Sequence, residues 1–131
     1  MTAPGEVLGL DHVQLAAPAG AEDEARGFYG RLLGLPELPK PPALAARGGV
    51  WFACGAHELH VGVEEPFAPA RKAHPALLVA GLETLASRLA GAGVEVRWDA
   101  SIPGVRRCHV DDPWGNRLEL VAAERGAVTG A

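Results

Sequence analysis

The sequence predicts an α+β fold: two tandem βαβββ modules forming a cup-shaped open barrel, with helices on the outside. Three observations predict it. The order strand, helix, then two or three strands is followed by the same order again, an internal repeat of about half the chain. The strand segments alternate apolar and polar residues, as in a sheet with one face packed and the other open. The helical segments carry apolar stripes with helical spacing, so each must bury one face against a sheet. Neither half can close a core alone, so the halves must pair.

The first element, Leu8 to Ala17 (LGLDHVQLAA), alternates Val13 and Leu15 with His12 and Gln14, and Pro18 and Gly20 end it. A helix follows over about Ala21 to Leu33. Glu22, Asp23 and Glu24 lie in its first turn, where the helix dipole favours negative charge, and Ala25, Phe28, Tyr29, Leu32 and Leu33 form its stripe. Gly34 suits the position just past its end. Leu35 to Ala46, with four prolines, reads as a loop with room for a short edge strand. GVWFAC (Gly49–Cys54) and ELHVGV (Glu58–Val63) read as a hairpin about Gly55-Ala56. Glu64 to Ala73, with Pro66 and Pro69, reads as the link between modules.

The second half repeats the pattern. His74 to Ala80 reads as a strand. Leu82, Leu85, Ala86, Leu89 and Ala90 form a helical stripe closed by Gly91 and Gly93. Val94 to Trp98 and Val105 to Val110 read as strands. DDPWGN is a turn built from Asp, Pro, Gly and Asn, and Arg117 to Ala122 is the last strand. The expected layout is one domain over 1–131: module one about 8–63, linker 64–73, module two about 74–122, and a frayed tail 123–131.

Length and composition fit one globular domain: 131 residues, 48% hydrophobic and 21% charged. A net charge of −4 with scattered basic residues argues against a nucleic-acid partner. No apolar run approaches the ~20 residues that span a bilayer, so no membrane partner is expected. The opening MTAPGEVLGL lacks the basic and apolar regions of a secretory signal, so the cytoplasm is the expected compartment and Cys54 and Cys108 are expected as reduced, buried thiols. Arg far outnumbers Lys, which occurs only at Lys40 and Lys72, and Ala and Gly abound; this points to a GC-rich bacterial gene.

Alternation decides which side chains can meet in the cup. With Val13 and Leu15 toward the helix, His12 and Gln14 face inward. With Leu59 and Val61 toward the helix, Glu58 and His60 face inward. Leu118 and Leu120 place Arg117 and Glu119 inward, and Leu77 and Val79 place His74 inward. Four potential ligands, His12, His60, His74 and Glu119, therefore share the inner face at equivalent positions of the two halves. Imidazoles with a carboxylate suit one divalent metal: Zn, Ni, Fe, Mn or Co.

The segments LDHVQLAAP, FYGRLLGLP, GGVWFACGAHELHVG, AHPALLVAGLETLASRLAGAGVEV and DDPWGNRLELV resemble the glyoxalase/bleomycin-resistance/extradiol-dioxygenase family, the vicinal oxygen chelate superfamily, over roughly Leu8 to Val121. The resemblance implies metal ligands at His12, His60, His74 and Glu119. It also implies a homodimer and a small-molecule substrate with two adjacent oxygens. Glyoxalases carry Glu where His60 stands, and aromatic-ring dioxygenases carry Tyr where His109 stands, so the resemblance does not fix the reaction.

A glyoxalase-like isomerase or lyase reaction ranks first, with Glu119 or Glu58 as base and His109 as a proton shuttle or substrate contact. The alternatives are an extradiol-type dioxygenase and a non-catalytic protein that binds an antibiotic or metabolite. Trp51, Phe52 and Trp114 wall the pocket or fill the core. Arg117 either neighbours an anionic substrate or fixes its turn with a salt bridge. Arg71-Lys72 either steers anions or is simply solvated.

Overall fold

The computed structural model describes residues 2–124. In module one, β1 (His12–Ala17) leads to α1 (Glu22–Ala25), which continues as a wide π-type segment, Arg26–Leu32. Then come β2 (Glu37–Leu38), α2 (Pro42–Ala45), β3 (Val50–Cys54) and β4 (His57–Val63). Module two holds β5 (Ala76–Val79), α3 (Leu82–Gly91), β6 (Arg97–Asp99), β7 (Arg107–Asp111) and β8 (Arg117–Ala122).

The sheets have the orders β1-β4-β3-β2 and β5-β8-β7-β6, the same topology twice. In each, the first and last strands of the module pair in parallel and the remaining pairs are antiparallel. This is the α+β architecture the repeat predicts, two tandem βαβββ modules of a cup-shaped open barrel.

Alternation works as expected in both sheets. Leu59, Val61, Val50 and Phe52 of the first sheet and Cys108, Val110, Leu118 and Leu120 of the second point to the helices. They meet Ala25, Phe28 and Tyr29 of the first helical segment and Leu82, Leu85 and Leu89 of α3 in one continuous core. The two modules therefore share a core. Asn116 Nδ2 donates to Ala16 O (2.8 Å), Trp114 Nε1 to Glu24 (3.1 Å) and Arg88 Nε to Leu32 O (3.0 Å), three further bonds between the halves.

Two loops set the frame. Glu22 accepts a hydrogen bond from Gly49 N (2.8 Å), which holds its carboxyl below the usual range and ties the start of α1 to the entry of β3. At the end of α3, Gly93 takes φ +88° while Val94 N reaches back to Leu89 O (3.0 Å), a glycine-dependent stop.

Several boundaries differ from those predicted. The helix over 21–33 widens from Arg26 onward. Gly27 and Gly30 weaken α-helical hydrogen bonding there, and the neighbours Phe28 and Tyr29 are both buried, which a regular helix favours less. β1 starts at His12, not Leu8, and Leu8 and Leu10 are exposed. β5 starts at Ala76, because Pro75 donates no backbone hydrogen bond and shortens the strand. β6 starts at Arg97, not Val94, whose amide is used in closing α3. The tail expected after Glu124 lies outside the described residues. Among the described residues, no helix is long and apolar enough to cross a membrane. Cys54 and Cys108 are unbridged, and burial pushes both thiols up.

Candidate metal centre

Each sheet has a second face turned away from the shared core. On the second sheet, antiparallel pairing places His109 directly opposite Glu119, while β5 carries Ala76 to the other side of Glu119. His74 precedes the strand, yet its ring turns onto the same carboxylate. The ligand atoms of His74, His109 and Glu119 lie within 4.8 Å of one another.

The hydrogen bonds show how this cluster is held. His74 Nε2 lies 3.0 Å from Glu119 Oε1 and His109 Nε2 lies 3.6 Å from the same oxygen. Arg107 Nη1 donates to Glu119 Oε2 at 2.9 Å and its Nη2 donates to Asp99 and Ser101, both at 2.9 Å. Glu119 thus has one oxygen fixed by a guanidinium and the other facing two imidazoles. Arg107 Nε is buried and without a partner among the described residues.

The tautomer of His74 is a test of whether this donor set fits a metal. Its Nδ1 lies 2.8 Å from Lys72 O. A carbonyl oxygen only accepts, so Nδ1 carries the hydrogen. In the neutral ring Nε2 is then a lone pair aimed at a carboxylate oxygen. That arrangement calls for a cation between them, either a proton on the ring or a metal ion. Metal-bound histidines are commonly oriented in this way, through the other ring nitrogen. The set fits a divalent ion.

The electrostatic surroundings favour the ligating forms of these side chains. Burial lowers the pKa of His109, and Arg107, Arg117 and His74 add to this against the pull of Glu119. The neutral imidazole, the form that binds metals, is thereby favoured. For Glu119, burial acts upward, but the Arg107 hydrogen bond, the adjacent His74 ring and the charge of Arg107 outweigh it and the pKa falls below the usual carboxylate range. A carboxylate held ionised in this way is suited to bind a cation.

The expected four-ligand set does not assemble within the chain. His12 and His60 do share the open face of the first sheet, with ring centroids 4.3 Å apart and 21° between planes. His60 is buried, lies flat against Trp51 (4.1 Å, 6°) and has its Nε2 2.8 Å from Glu58 Oε1. No group of three or more metal-capable side chains within 4.8 Å includes His12, His60 or Glu58 among the described residues. The shared core explains this: each open face lies on the far side of its own sheet from that core. His74 and Glu119 do come together, and His109 joins them in place of a module-one ligand.

His109 was legible as a cluster member. The turn pairs Asp111 with Arg117, and antiparallel counting then sets His109 opposite Glu119. Trp51 lines the open face of module one, Phe52 is core, and Trp114 stacks near Tyr29 (6.4 Å). His57 opens β4, exposed.

The chain resembles several solved structures. A glyoxalase family protein from Bacillus anthracis is 48% identical, with a TM-score of 0.88 over 92% of this chain and 98% of that one. A lactoylglutathione lyase from Agrobacterium tumefaciens is 20% identical, with a TM-score of 0.65 over 88% and 94%. A genomically encoded fosfomycin resistance protein from Listeria monocytogenes is 15% identical, with a TM-score of 0.73 over 93% and 98%. The last two show a common fold only. No protein-family model and no curated protein matches the sequence.

Proposed function

Since the chain belongs to the glyoxalase family of the vicinal oxygen chelate superfamily, we propose that it is a divalent-metal-dependent enzyme. Its substrate is a small molecule with two adjacent oxygens, and its reaction is of the isomerase or lyase kind. The observation that carries this reading is the His74 ring, fixed through Nδ1 by Lys72 O, with Nε2 on the carboxylate that also faces His109.

His74, His109 and Glu119 would hold the ion. When bound, it polarises the paired substrate oxygens and stabilises negative charge developing there. Arg107 keeps Glu119 oriented and ionised. With Glu119 and His109 engaged as ligands, Glu58 is the base. Its carboxylate is half exposed on the open face of module one and hydrogen-bonded to His60.

A homodimer brings these parts together. The module-one face of one copy, with His12, His60 and Glu58, closes over the module-two face of the other. Exposed Leu8, Leu10 and Leu78 (73%, 69% and 71% exposed) support such a contact, since a partner would cover them.

The test is cobalt titration of metal-stripped protein, followed by absorption. Stoichiometric binding that is lost in His74→Ala and Glu119→Gln supports the reading. Failure of the wild type to bind cobalt, zinc or nickel would leave a cup that only sequesters its ligand.

A further inference from the structure

The open face of module two holds a second feature beside the metal cluster, a cleft of about 250 Å³ lined by Arg71, Arg97, Arg117, Glu95, Asp111 and Gly115. It gathers three guanidinium groups in a chain whose net charge is −4.

The two carboxylates are already engaged, both by the same arginine. Arg97 Nη2 donates to Asp111 (2.9 Å) and its Nη1 to Glu95 (3.4 Å). Arg71 and Arg117 have no ion pair or side-chain hydrogen bond among the described residues. Arg117 stands opposite Asp111 in the β7–β8 register, yet Asp111 is taken by Arg97. The salt bridge that would give Arg117 a purely structural role is therefore not made.

The backbone segments that carry both arginines are held side by side. Arg117 N donates to Ala70 O (3.3 Å) and Ala70 N to Asn116 Oδ1 (3.3 Å), so the segment bearing Arg71 is pinned along the start of β8. Pro69 lies against Gly115 so closely that a Cβ there would come within 3.2 Å of it. Arg117 is two residues from Glu119 on one face of β8, roughly 7 Å along the strand. Arg97 is the register partner of His109. The cleft and the metal cluster are neighbours on one surface.

We infer that Arg71 and Arg117 form an oxyanion-binding pair that takes a carboxylate or phosphonate group of the substrate. The inference rests on the reading of this face as the substrate side, and it narrows the substrate to a small anion. Guanidinium forks match such groups in shape and charge. The cleft is smaller than a typical ligand pocket of about 300–1,000 Å³, which suits one anionic group with the rest of the molecule over the metal.

The test uses metal-stripped full-length protein and inorganic phosphate, acetate and methylphosphonate as probes, at constant ionic strength against chloride. Binding is followed by amide shifts at residues 115–117. The expected result is saturable binding of at least one oxyanion, weakened about tenfold or more in Arg117→Gln and in Arg71→Gln, and restored in part by Arg117→Lys. The acetate and methylphosphonate arms decide between a carboxylate and a phosphonate. Absence of saturation in the wild type, or unchanged affinity in the double glutamine variant, overturns the pair. Cobalt titration of the same samples reads the metal separately. Cobalt binding without oxyanion binding sinks only the arginine pair, and oxyanion binding without cobalt binding sinks only the metal reading.

Discussion

The Tyr29 hydroxyl donates a 2.7 Å hydrogen bond to Asp112 Oδ2, across 83 residues and from one module to the other. Tyr29 is fully buried and Asp112 is 5% exposed. Asp112 also accepts from Trp114 N, Asn116 N and Asn116 Nδ2 at 2.8–3.1 Å. One carboxylate thus organises the β7–β8 turn and locks it to the first helix.

Removing the hydroxyl leaves a buried carboxylate oxygen one donor short. Tyr29→Phe is expected to destabilise the fold by about 1–3 kcal/mol. Urea unfolding followed by circular dichroism measures it. A change below a few tenths would show that water replaces the lost donor freely.

Burial, then the charge and hydrogen bond of Asp112, push the Tyr29 pKa well above its ordinary value of 10.0. The raised folded-state value fixes the sign. The contribution is fully present below about pH 10, where the unfolded chain also keeps its proton, and is lost as pH climbs toward the folded value. Tyr29 is the only tyrosine in the chain, so phenolate absorbance reports it alone. Phenolate should appear together with loss of circular dichroism, above pH 10. Phenolate formation in still-folded protein would contradict this.

Gly49 has φ +89°, and a Cβ there would stand 2.2 Å from Val61 O. Gly49→Ala therefore meets both a left-handed backbone penalty of about 1–2 kcal/mol and a backbone collision. The expected loss exceeds ~2 kcal/mol. Gly20→Ala, with φ +78° and no atom within 4 Å, is the control and should cost only the first part. Equal losses in urea titrations would refute the steric share.

The separated histidine pairs make a sharp prediction for mixed dimers. His60→Ala and Glu119→Gln should each be inactive alone. If each site uses module one of one copy and module two of the other, unfolding and refolding an equal mixture restores about a quarter of wild-type activity: half the dimers are mixed, and each mixed dimer has one intact site. No recovery would place the whole site within one chain.

Much of this was legible because strand alternation is strict where one face is buried. Arg117–Ala122 is a strand over the residues predicted, and both helical stripes bury their apolar members apart from Ala90 and the partly exposed Leu32 and Leu33. The pairing of His74 with Glu119 was also readable, although His74 acts from ahead of its strand. The position of the modules relative to each other was not. Alternation tells which face of a sheet a residue occupies, but not where that face points once two sheets share a core. For that reason His12 and His60 keep the face assigned to them but do not meet His74 and Glu119 within one chain.

The common core has a consequence for how the molecule holds together. A chain cut between Glu64 and Pro75 would yield two fragments, each with an oily surface that only the other can cover. Neither should fold in isolation, while mixing should recover native spectra, and melting of the uncut protein should be a single transition. The halves repeat in sequence, and their common core predicts that they melt as one thermodynamic unit.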